Sequence, residues 1–284
     1  MNKTPEFPMV QFGPGSQPQE TDTLEYINMP KDMETYHAPI LPEPEEVLNL
    51  TQGKQVLEDL LQALHTWKAD TQSKSISLNQ LDADNLDLIN QALGEGEVSM
   101  VVGDSMIRAQ ESVLAGVWRI QHFDENNLVI HDSLEVGAVP KITRSLTFAS
   151  ADRNIDTDVN ETHPGVQNAP ALLAELADKV KSYQAGNQGE TINLTLLPLT
   201  EMDVMLLGER LGVGPLTILS RGYGNCRIGS TAKENVWWIK YYNSQDVLIL
   251  NTIEIVDIPQ VTCAAPEDIE DSYTRLNEIL ELYR

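Results

Sequence analysis

The sequence predicts an α+β fold made of two similar modules. Each module is a short helix followed by an antiparallel β-sheet, with extra helices and an extended N-terminal arm added. Three observations predict it. Residues 116–142 (GVWRIQHFDENNLVIHDSLEVGAVPKI) align without a gap on residues 235–261 (NVWWIKYYNSQDVLILNTIEIVDIPQV) at an offset of 119. Upstream, residues 81–102 align on 199–220 at an offset of 118, matching Leu93-Gly94-x-Gly96 with Leu211-Gly212-x-Gly214. The aligned segments are rich in Val, Ile, Trp, Tyr and Thr and are broken by short polar turns, the pattern of strands joined by hairpins.

Residues 1–50 are rich in Pro, Glu, Gln and Asn. They read as an extended acidic arm, because GPGSQP (13–18) and LPEPEE (41–46) fit neither a helix nor a central strand. Leu24, Tyr26, Ile27 and Met29 are its candidate anchors. Residues 51–74 hold a helix over 53–67, where Val56, Leu57, Leu60, Leu61, Leu64 and Trp67 recur at helical spacing. The first repeat module spans 75–143. It opens with a helix capped by Asp82 or Asp84 and closed by Gly94, after which strands alternate with turns such as 124–127. Residues 144–189 form a linker with a helix over 170–183, Pro170 suiting its first position and Gly186 lying past its end. The second module spans 190–262, with Thr200 as helix cap, Gly212 as helix end and a turn at 243–246. Residues 263–284 form a C-terminal helix whose first turn carries Glu267, Asp268, Glu270 and Asp271, where acids suit the helix dipole.

Composition bounds the partners. The 284 residues carry 19 basic and 43 acidic side chains, a net charge of -24. That argues against nucleic acid, whose phosphates need Lys and Arg. No apolar run approaches the ~20 residues of a membrane span, so no membrane insertion is expected, and residues 1–12 lack the apolar region of a secretory signal. Cys226 and Cys263 are the two cysteines, without a Cys-x-x-Cys. The expectation is a reduced, cytoplasmic protein.

The residues that suggest chemistry are few. His37, His65, His122, His131 and His163 show no metal-ligand spacing. The paired glycines follow a helix rather than a strand and do not make a dinucleotide loop. Glu135 and Glu254 recur in both modules, but two acids without a third group point to architecture. No catalytic, cofactor or metal residues are assigned, and no enzyme activity is expected. The metal or thiol candidates are Cys226 and Cys263. Cys226 reads either as a strand residue after a glycine-rich turn or as a soft ligand whose thiol Arg227 would acidify. Trp238 faces away from Trp237, Ile239 and Tyr241, on a face where the first module carries Arg119 and Gln121. It reads either as an exposed partner-binding aromatic or as cover for the arm or the other module. Tyr223, Cys226, Arg227 and Trp238 are therefore the candidate partner-binding residues.

Several motifs, in order, carry a family resemblance: GPGSQP, LGEGEVS (93–99), VQNAPALLAEL (166–176), GYGNCRI (222–228), NVWWIKYYNS (235–244) and CAAPEDIEDSYTRLNEI (263–279). With them the chain resembles the HupH/HyaF hydrogenase expression proteins, also called HoxQ. The resemblance implies a cytoplasmic accessory protein, a chaperone that binds the iron–sulfur small-subunit precursor of an uptake [NiFe] hydrogenase before assembly and twin-arginine export. Other hydrogenase accessory proteins are further implied partners. The alternative is an iron–sulfur, metal-handling or thiol redox protein using Cys226 and Cys263. Neither the residues nor the resemblance implies a bound cofactor.

Overall fold

The computed structural model describes residues 41–68, 74–103, 106–158, 164–221 and 225–284. The arm up to residue 40, with its four anchors, lies outside the described residues. The elements run α1 (Thr51–Thr66), β1 (Ser75–Ser77), α2 (Ala83–Leu93), β2 (Val98–Val102), β3 (Ile107–Glu111), β4 (Val117–Phe123), β5 (Val129–Val136), α3 (Lys141–Leu146), α4 (Ala169–Ser182), β6 (Glu190–Asn193), α5 (Glu201–Leu211), β7 (Leu216–Ser220), β8 (Asn225–Ser230), β9 (Val236–Tyr242), β10 (Leu248–Ile255) and α6 (Pro266–Tyr283).

The strands form one sheet rather than two, ordered β1-β5-β4-β3-β2-β7-β8-β9-β10-β6. Every neighbouring pair is antiparallel. The repeat explains the order. Each module supplies a five-stranded half, and the halves join where β2 pairs with β7 from Val98↔Ser220 to Val102↔Leu216. The junction obeys a two-fold: Gly103 N–H donates to Pro215 O at 2.9 Å, and Arg221 N–H donates to Glu97 O at 3.1 Å. These pairs are related by the offset of 118 read in the sequence.

Both faces of the sheet are covered. On one face, Trp118, Ile120, Trp237 and Ile239 share a core with Met100 and Ile218, so the face expected to be buried is buried and joins both modules. Segments around α3 and a 3₁₀ turn (Gln260–Thr262) close it; Phe148 meets Trp237 edge-on at 5.3 Å between ring centres. The opposite face carries helices. In the first half, α1, α2 and α6 pack on Val117, Leu134 and Val136. In the second, α4 and α5 pack on Val236, Trp238, Ile253 and Ile255.

The helical layer extends the repeat upstream. Gly53, Val56, Leu57, Leu60, Leu61 and Leu64 are buried in α1; Ala169, Leu172, Leu173, Leu176, Ala177 and Val180 are buried at the same spacing in α4. Neither helix has a side-chain cap of its own. The following helix supplies it. Asn85 in α2 accepts the Gly53 N–H at 2.7 Å. Asp203 in α5 accepts the N–H groups of Gln167, Asn168 and Ala169 at 2.8, 2.9 and 2.8 Å. Orphan donors at a helix start need such acceptors. Asp82 and Thr200 cap α2 and α5, and Thr200 with Asp203 closes a capping box.

Gly94 and Gly212 end α2 and α5 with φ of 52° and 66°, as expected for a residue without Cβ. Their ψ of -164° and -177° differs from a left-handed cap and sends the chain straight towards β2 and β7. The next glycines approach backbone: a Cβ on Gly96 would overlap the Ser112 carbonyl, and one on Gly214 would overlap Ser230 and Thr231. This is the physical reason for the paired Leu-Gly-x-Gly motif.

Candidate functional site

The residues singled out in the sequence do not converge. Trp238 is 9% exposed and packs beneath α4 and α5; its indole N–H donates to Asn251 Oδ1 at 2.6 Å. The exposed-aromatic reading is therefore corrected: helices α4 and α5 cover the indole. The first half places Arg119 and Asp132 at the equivalent positions. There Arg119 Nη2 donates to Asp132 Oδ2 at 2.6 Å and Nη1 to Asn90 at 2.5 Å. Gly208, equivalent to Asn90, lies beside the indole: a Cβ there would meet Trp238 at an ordinary contact distance of 3.8 Å, so a side chain as long as asparagine would have to turn away from the ring. One half keeps an ion pair where the other keeps a packed aromatic.

Cys226 lies in β8, 3% exposed, in the core shared by the modules. Burial pushes its thiol up to about 12; a hydrogen bond with Tyr241 offsets part of this and the charge of Glu254 adds to it. Burial likewise carries the Tyr241 hydroxyl up to about 12. Arg227 does not acidify the thiol. Its side chain points away, and its guanidinium stacks 4.8 Å from the Tyr242 ring centre. Cys263 is partly buried at the border of the same core, with its thiol raised chiefly by burial. Both cysteines are free thiols. A buried, protonated thiol is a poor nucleophile and a poor ligand. Tyr223, with the rest of residues 222–224, lies outside the described residues.

Other titratable groups are structural. Glu135 accepts the Lys141 N–H at 3.1 Å at the start of α3, and Glu254 is raised by burial. His122 and His131 face each other across β4 and β5 with ring centres 5.5 Å apart, and burial lowers His122 first, His131 second. No group of three or more His, Cys, Asp or Glu with metal-binding geometry occurs among the described residues. Glu111 is the most perturbed acid. It is 8% exposed at the end of β3, and burial raises it to about 7 although its Oε1 accepts the Gly116 N–H at 3.0 Å.

The feature that sequence reasoning missed is at the hairpin ends. In the β4–β5 hairpin, Asp124 Oδ1 accepts the N–H groups of Asn126 and Leu128, and Asn127 takes a φ of 59°. In the β9–β10 hairpin, Asn243 Oδ1 accepts those of Gln245 and Val247, and Asp246 takes a φ of 56°. After each turn a β-bulge interrupts the register: Phe123 pairs with Val129 but His122 with His131, and Tyr242 pairs with Leu248 but Tyr241 with Leu250. The bulges break alternation and leave Ile130 and Ile249, matched in the repeat, 61% and 56% exposed. Each end also stacks an arginine on an aromatic ring: Arg108 over Phe123 at 4.3 Å and Arg227 over Tyr242.

Comparison with known proteins follows the repeat. The family model described as "HupH hydrogenase expression protein, C-terminal conserved region" matches residues 50–152 and 166–283, one segment per half. A protein called hydrogenase expression/formation protein HoxQ, from Cupriavidus necator, is 46% identical over 282 residues, covering 99% of this chain and 98% of its own length. Hydrogenase expression/formation protein HupH from Rhodobacter capsulatus is 45% identical, with 98% of each chain covered. Hydrogenase-1 operon protein HyaF from Escherichia coli is 32% identical, covering 95% of this chain and 94% of its own.

Proposed function

The chain belongs to the HupH hydrogenase expression protein family, and on that premise we propose that it is an accessory protein of hydrogenase maturation. More specifically, it acts in the cytoplasm as a chaperone that holds the iron–sulfur small-subunit precursor of an uptake [NiFe] hydrogenase before assembly and export. The observation that carries this reading is the 46% identity along nearly the whole chain to a protein named for hydrogenase expression and formation. Two details support a binding role over catalysis or metal handling. The Cys226 thiol sits near 12 inside a core, whereas the iron–sulfur or thiol redox alternative needs thiolates. The most perturbed acid, Glu111, is bound to its own turn rather than to an open cleft. No described helix is long and apolar enough to cross a membrane.

Native mass spectrometry of the chain purified from cells that make the hydrogenase tests the reading. The expected result is a stoichiometric complex with the small-subunit precursor, absent when that subunit is deleted. A chain that emerges alone under anaerobic conditions, or one that carries iron lost on Cys226→Ser, overturns it.

A further inference from the structure

We propose that the two hairpin ends are a paired docking surface for a client polypeptide that offers apolar side chains bordered by carboxylates. The proposal deepens the chaperone reading and rests on the chain acting on a protein client. Eleven large apolar side chains are exposed among the described residues, and six of them, Met106, Leu128, Val129, Ile130, Val247 and Ile249, lie at these two ends. Scattered exposed apolar residues need no explanation, but clustered ones mark interaction sites.

The repeat supplies an internal control. Positions packed under the helices have exchanged chemistry between the halves, the half-buried Arg119 against Trp238 and Asp132 against Asn251. At the bulges nothing in the fold asks for an aliphatic side chain, and a polar one would serve solubility better. Yet Leu128 and Ile130 in one half correspond to Val247 and Ile249 in the other, all at least 45% exposed. Bulges re-aim side chains without adding to the core.

Charge selects the partner. In a chain with a net charge of -24, each end keeps an arginine at the equivalent position, oriented by an aromatic ring. The acids of the turns are engaged within their own ends: Asp124 holds two backbone N–H groups and Asp246 accepts from Asn225 at 3.3 Å. Glu125 at the first end and Asp246 at the second are exposed acids beside these arginines. Arginine and aromatic groups are enriched at interface hot spots, the exposed aliphatic side chains beside them supply apolar contact area, and arginine forks match carboxylates. Because β2 and β7 run antiparallel, the two ends lie at opposite ends of the sheet, so one client can be held at two separated points.

The test places a photo-crosslinking amino acid at Ile130 or Ile249 of the full chain, in cells that make the hydrogenase subunits. Controls carry it at Leu196 and Leu282, which are 79% and 60% exposed elsewhere. The expected result is adducts from both hairpin positions to apolar peptides flanked by Asp or Glu. Their yield should fall about fivefold or more when Arg108→Glu and Arg227→Glu are combined. Hairpin adducts no more abundant than the controls, adducts chiefly to a second copy of this chain, or a yield indifferent to charge reversal would each refute the surface. Adducts of the expected chemistry on a polypeptide other than a hydrogenase subunit uphold the surface and refute the chaperone assignment. A co-purified precursor without hairpin adducts does the reverse.

Discussion

Replacing Glu111 by Gln should stabilise the protein at pH 8 and change little at pH 5. The carboxyl is buried against Gly116, with Glu97 and Asp268 adding negative charge, and is raised from 4.5 to about 7. The folded state therefore binds more protons than the unfolded chain between those values, and stability falls as pH rises through this window. At 1.36 kcal/mol per unit, a shift of about 2.5 units costs roughly 3 kcal/mol at pH 8 and less than about 1 kcal/mol at pH 5. Glutamine removes the charge and keeps an oxygen to accept the Gly116 N–H. The gap between variant and wild type should widen by about 2.5 kcal/mol from pH 5 to pH 8. Equilibrium urea unfolding at four pH values, with tryptophan fluorescence and circular dichroism required to coincide, measures it. A gap that does not change with pH, or a variant less stable at pH 8, would show that the carboxyl titrates normally in the fold.

Asp203→Ala should cost more than about 3 kcal/mol, because buried donors at the start of α4 lose their acceptor together with the reciprocal half of the α5 capping box. Burial alone would raise the Asp203 carboxyl, but the N–H groups of Ala169, Thr200 and Gln167 outweigh it and hold it low. Its contribution is thus full above the ordinary carboxylate value and is lost as pH falls through the folded one, so Asp203→Asn should flatten acid unfolding. Gly96→Ala should prevent folding or lower the melting temperature sharply, whereas Gly229→Ala, which meets nothing within 4 Å, should shift stability by no more than about 0.5 kcal/mol. Trp238→Ala should destabilise by roughly 3–5 kcal/mol in the same urea assay, as a core deletion does. Cys226 should resist a thiol reagent at pH 8 until the protein unfolds; rapid modification of the native chain would contradict its burial.

The duplication was legible because 27 residues align without a gap, and it correctly announced paired hairpins, caps and helix-ending glycines. The equivalence of α1 and α4 was not. Only the spacing of small and apolar positions such as Gly53/Ala169, Leu57/Leu173 and Leu60/Leu176 survives, at an offset shifted by two residues from the neighbouring block. That the modules share one sheet was hidden because the β2·β7 pairing is long-range, and five short residues on each side carry no signal of their partner. Trp238 was misplaced because alternation assigns residues to faces but does not say which face is covered. Here both are, and only the loss of a side chain at Gly208 hinted at an indole packed beside it. The alignment announces the turns of the hairpin ends but not the bulges beside them, since a bulge leaves no mark in a pattern of apolar residues.

The β2·β7 seam has a consequence for assembly. Either half alone would present a bare five-residue strand edge, flanked by the apolar side chains of a core cut in two, and such an edge seeks another strand. The single chain is in effect a two-fold dimer made permanent by a covalent tether. Its stability across the seam does not depend on protein concentration, and the two copies of the unit need no longer be identical. Severed at the linker, its halves should reassociate through that seam and through α6, which the second fragment supplies to the core of the first half.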